Sequence, residues 1–144
     1  MWADTLLTLE RGHLLRLAVW GGCSALVGVS VLVLLHLRAH RAPLLRHFAI
    51  QTAAWGLVDL GLVLWSRRSL AMRDFAGAQH LINTLWFNTG LDAGYMAVGV
   101  TLALTAWRWG ARAGGIGAGV GVLVQGTALL LLDLRLVLLI GQMQ

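Results

Sequence analysis

The chain contains no lysine. Its eleven cations are all arginine, and only six acids oppose them. Charged residues make up 12% of the chain, about half the share of a soluble domain. With 58% apolar residues and a mean hydropathy of +0.77, that scarcity excludes an ordinary water-soluble globule and equally a charge-rich disordered chain. A single cysteine, Cys23, excludes a paired-thiol relay and a cysteine-rich metal site. The one proline, Pro43, falls between apolar runs and interrupts none of them. The net charge of +5 would suit nucleic acid only if the arginines formed a stripe interleaved with stacking aromatics. They punctuate hydrophobic segments instead, so no nucleic-acid partner is expected. There is also no HExxH, glycine-rich phosphate loop or serine–histidine–aspartate order. An enzyme is therefore not expected, although Asp59 and Asp92 have the chemistry of an acid–base pair.

What the chain has is length of apolar sequence. A helix crossing roughly 30 Å of hydrocarbon needs about 20 apolar residues, and four stretches qualify, at about 14–36, 47–65, 85–107 and 115–140. Strict alternation is absent, which argues against a barrel. The expected fold is all-α: one membrane domain over 1–144, a four-helix transmembrane bundle with both termini on the same side. Residues 66–84, SRRSLAMRDFAGAQHLINT, mix apolar and basic side chains as an interfacial segment would. The first span is too long, and too closely preceded by Asp4 and Glu10, for a cleaved signal peptide. Gly22–Cys23 does not read as an acylation site, because Trp20 stands where leucine is usual and the apolar run continues.

Arginine bias sets membrane orientation, and here it is even. Arg11, Arg16, Arg67, Arg68 and Arg73 fall on the side of the termini, and Arg38, Arg41, Arg46, Arg108 and Arg112 on the other. Either other determinants fix the orientation, or copies insert both ways as an antiparallel homodimer. Trp65 and Trp86 mark an aromatic belt on the first side, Trp107 and Trp109 on the second. The basic loop Arg38–Arg46 suits anionic lipid headgroups.

Three of the six acids lie inside apolar runs. Asp59 is six residues before Trp65 and Asp92 six after Trp86, which puts each about 9 Å below the same belt. Asp133, seven residues before Ile140, falls in the same layer. Helical spacing then groups Gln51, Trp55 and Asp59 on one face, and Asn88, Asp92, Tyr95 and Gly99 on another. It also groups Gly117, Gly121, Gln125 and Asp133. Buried charges in a membrane helix turn inward and find partners. Arg16 is the expected counter-charge, with Arg135 close in depth, while Asn88, Gln125 and Tyr95 supply hydrogen bonds. Such a cluster serves either as a proton or cation site, or as a polar lattice holding four helices in register. The run GGIGAGVG contains two overlapping pairs, Gly115/Gly119 and Gly117/Gly121, that suit close helix packing, within the bundle or against another subunit. No cofactor is expected. His36 and His47, near His40, are placed to face each other as haem ligands, and their plainer role is interfacial.

The strings QTAAWGLVDLG (Gln51–Gly61) and LWFNTGLDAGY (Leu85–Tyr95) resemble those of a group of bacterial four-helix membrane proteins known only as a domain of unknown function. That resemblance spans most of the chain and implies a fold without an activity. In size and helix number the chain is also similar to small multidrug-resistance transporters and to dual-topology fluoride channels. The former carry an essential glutamate in span one, and no acid lies between Leu14 and His36 here. The reading is a small polytopic protein of a bacterial inner membrane, homo-oligomeric or part of a larger membrane complex. Its function is that of a proton- or cation-linked carrier or channel built on the aspartates. The alternative is an accessory subunit of a larger membrane complex.

Overall fold

The computed structural model describes residues 2–39 and 41–143. It contains four helices, α1 (Trp2–Leu37), α2 (Pro43–Arg68), α3 (Phe75–Arg108) and α4 (Ala113–Gly141), with no strand among the described residues. Short connections make α1 and α2, and likewise α3 and α4, antiparallel packed neighbours. Pro43 opens α2, a position where its missing N–H costs nothing. Between α3 and α4 the chain reverses through Gly110 and Ala111, at φ of 90° and 50°. The reversal is closed by the Arg112 amide donating to the Ala106 carbonyl.

The helix seams are polar and small, and the exterior is large and apolar. Glycines and alanines fill the seams together with Ser24, Asp59, Asp92, Gln125 and Asp133. Leu15, Val19, Leu26, Leu57, Leu64, Val98, Leu131 and Leu138 face outward. In water such a surface would aggregate, whereas in lipid, packing of small residues rather than apolar burial brings helices together. Helices α1, α2 and α4 are long and apolar enough to cross a membrane. Helix α3 has the length but less apolarity, since it carries Asn88, Asp92 and Tyr95 in the stretch where a span would lie. It packs along α4, with Gly99 against the Gly119 carbonyl and Leu123.

The glycine run of α4 divides its work by register. Gly115 and Gly119 lie against Ala106 and Ala103 of α3, while Gly117 and Gly121 lie against Leu44, Phe48 and Gln51 of α2. Both pairs therefore pack within the bundle, and α4 is the central helix between α2 and α3. The α1–α2 seam is equally close, with Gly21 and Gly28 meeting Gly56, Ala49 and Ala53.

The helices extend further than the apolar runs indicate. Helix α1 has 36 residues, about 54 Å at 1.5 Å per residue, and starts twelve residues ahead of the expected span. The interfacial segment expected over 66–84 is not a separate element. Helix α2 runs on to Arg68, a short loop follows, and Asp74 caps α3, its Oδ1 accepting from the Gly77 amide at 2.8 Å. Met72 and Phe75 stay exposed, but the apolar positions 78, 81, 82 and 85 of α3 fall on one face. They meet protein: Leu6, Ala78, Leu85, Leu136 and Ile140 form a buried cluster, with Leu9, Leu81, Ile82 and Val137 around it. This cluster also gathers the start of α1 and the end of α4 at one end of the bundle, so both termini share a side.

Candidate functional site

Among the described residues, the backbones of α2 and α3 do not approach each other. They form the two walls of a cavity of about 790 Å³ whose floor is α1 and α4. The α2 wall is Trp55, Val58, Asp59, Leu62 and Trp65, and the α3 wall is Leu85, Asn88, Leu91, Asp92 and Tyr95. Glu10, His13, Leu17, Leu129 and Asp133 line the floor. At the inner end the rings of Trp55 and Tyr95 meet across the gap, centroids 5.0 Å apart and tilted by 59°. At the outer end the loop between α2 and α3 is tied to α1, because Arg73 Nε and Nη2 donate to the two Glu10 carboxylate oxygens at 2.6 and 3.1 Å. These hydrogen bonds push the Arg73 pKa upward.

The cavity brings together Asp59, Asp92, Asp133, Asn88 and Tyr95. Asp59 is fully buried, its β-carbon set in the space left by Gly21 of α1. Behind it, Gln125 Nε2 donates to Asp59 Oδ2 at 2.5 Å, and Gln125 Oε1 accepts from the Trp20 indole at 3.0 Å. An indole nitrogen only donates, which fixes the amide with its oxygen toward Trp20 and its NH₂ toward the carboxylate. Asp59 Oδ1 has no hydrogen-bond partner, nor does Oδ2 of the buried Asp92. Asp133 Oδ1 stands 3.4 Å from His13 Nε2.

Arg16 does not enter this cluster. Its Nη1 donates to the Gly12 carbonyl one turn back at 3.0 Å, and it lines a neighbouring crevice with Arg135. The four-residue reach back along its own helix competes with the expected pairing, and His13, one turn closer to the terminus, meets Asp133 instead. The arginine that lines the cavity, Arg73, is engaged by Glu10, so no free guanidinium neutralises Asp59 and Asp92 there. Gly115, Gly117, Gly119 and Gly121 lie outside the cavity, in the helix seams.

His13, Glu10 and Arg73 are contributions that span hydropathy passes over, because they precede the first apolar run or lie in a loop. A signal for two of them exists: Leu6, Glu10, His13, Leu17, Gly21, Ser24 and Gly28 recur at spacings of three and four, one continuous face of α1. Of the histidines considered for haem, His47 donates from Nδ1 to the Pro43 carbonyl at 2.9 Å and packs beside Gly114, and His36 is exposed. His40 lies outside the described residues.

A model of a family of unknown function, DUF6992, matches residues 16–134. The chain belongs to this family. The matched span holds Asp59, Asp92, Gln125 and Asp133, while Glu10 and His13 precede it. No curated protein and no solved structure matches the chain.

Proposed function

We propose that this member of the family is a small cation- or proton-linked carrier or channel of a bacterial inner membrane, working as a homo-oligomer. The observation that carries the reading is the pair of buried carboxylates, Asp59 and Asp92, which border one cavity, each with a buried, unpartnered oxygen and no free guanidinium beside them. An unpaired charge among membrane helices costs a few kcal/mol on insertion scales. A purely structural lattice would be expected to satisfy those oxygens. A proton or a cation supplies the missing partner, and its arrival and departure is the elementary step of transport. Gln125, held by Trp20, steadies Asp59 and leaves its other oxygen without a hydrogen-bond partner. The test is flux in proteoliposomes: Asp59→Asn or Asp92→Asn abolishes cation or proton movement while the protein stays folded. Unchanged flux in both variants removes the model.

The accessory-subunit reading draws on a different observation. Gly90, Ala93, Gly94 and Ala97 form an outward face of α3, and a methyl group added at either glycine meets nothing within 4 Å. Such a face accepts a closely packed helix from another chain. On that reading the Asn variants reduce assembly, and there is no flux to lose.

A further inference from the structure

We propose that the cavity between α2 and α3 takes a primary alkylammonium ion that enters sideways from the bilayer. Its N–H groups would lie on Asp59 and Asp92 and its apolar chain along Val58, Leu62 and Leu91. This rests on the cation reading above and narrows it to a ligand class.

Three observations select the class. The unpartnered atoms are carboxylate oxygens, Asp59 Oδ1 and Asp92 Oδ2, on side chains 0% and 4% exposed. They call for a donor of several hydrogen bonds, which a primary ammonium has and a quaternary one lacks. Next, no three His, Cys, Asp or Glu side chains among the described residues converge to hold a metal ion, whereas an ammonium ion needs acceptors rather than a full coordination sphere. Finally, one side of the cavity is open and apolar. Val58, Leu62 and Leu91 line the cavity yet remain 48%, 51% and 43% exposed. A hydrated inorganic ion gains nothing from that wall, and an alkyl chain does. The outer end is strapped by Glu10–Arg73, which leaves the side entrance as the apolar route.

The experiment is equilibrium binding to the full chain in zwitterionic nanodiscs, with empty nanodiscs as the blank. The probes are dodecylammonium, dodecyltrimethylammonium and sodium. The expected result is saturable dodecylammonium binding, tighter than dodecyltrimethylammonium by at least about tenfold, the scale of hydrogen bonds to a charged group. Asp59→Asn with Asp92→Asn weakens it by a similar factor. Leu62→Trp, which fills the mouth and leaves the carboxylates in place, removes dodecylammonium binding. Equal affinity for the two dodecyl probes overturns the proposal, as does binding that survives Leu62→Trp. These two results need no aspartate variant to fold. Aspartate-dependent sodium or proton flux with no dodecylammonium binding overturns the ligand class and leaves the cation reading standing. Absence of both overturns both.

Discussion

Helix α2 carries two glycines five residues apart whose surroundings are opposite, and the account of the fold turns on that contrast. A methyl group on Gly56 would lie 2.5 Å from the Ala25 amide nitrogen, 2.6 Å from the Gly21 carbonyl oxygen and 3.0 Å from the Ser24 β-carbon. Two of these atoms are backbone, so no rotamer change relieves the clash. Helices α1 and α2 must separate by about 1 Å to restore ordinary contact at 3.4 Å. A gap of that size forfeits roughly a quarter to a half of each dispersion well along the seam, and overpacking costs typically about 1–3 kcal/mol. Alanine returns up to about 1 kcal/mol of helix propensity. Gly56→Ala should therefore destabilise by about 1–2 kcal/mol. A methyl group on Gly61 meets nothing within 4 Å, so Gly61→Ala should be neutral or stabilising by up to about 1 kcal/mol. The assay is reversible unfolding in bicelles by titration with a denaturing detergent, followed by circular dichroism. Equal shifts for the two variants would refute the idea that backbone-to-backbone contact between α1 and α2 carries the fold.

Other expectations follow from single contacts. Asp74→Ala removes the cap of α3 and should cost about 1 kcal/mol, with added exchange of the amides after Phe75 in hydrogen-exchange measurements. Arg73→Met leaves the buried Glu10 carboxylate unpaired, so it should destabilise more than the double variant Arg73→Met with Glu10→Leu. Equal unfolding midpoints for the two would count against a desolvated pair. Trp20→Phe deletes the donor to Gln125 and should lower stability by about 1 kcal/mol. It also frees the amide to turn over, so flux in proteoliposomes should fall without being abolished.

Much of the bundle was legible from elementary physics. The number of helices, their all-α character and the shared side of the termini follow from apolar length and an even number of helices. The three aspartates were legible too, because a charge inside an apolar run must turn inward, and helical spacing puts Asn88 and Tyr95 beside Asp92. Partners across helices were not. Spacing along one helix says which residues share a face, but the rotation of that helix against its neighbours depends on seams such as Gly21–Gly56 and Gly99–Gly119. So Trp20–Gln125–Asp59 and His13–Asp133 emerge only in three dimensions, and depth alone made Arg16 look like the counter-charge. Packing within the stretch 66–84 was hidden for a related reason: an apolar face made for lipid and one made for α1 and α4 have the same period.

The central claim is that Asp59 and Asp92 hold a proton or cation and do more than pin helices together. Infrared difference spectroscopy of the carboxyl region tests it most directly, comparing the protein before and after exchange of its medium from cation-free to cation-containing. The account predicts a carboxyl band that changes on exchange in the native chain and is missing from the Asp59→Asn and Asp92→Asn double variant. Identical difference spectra from the two proteins would contradict it.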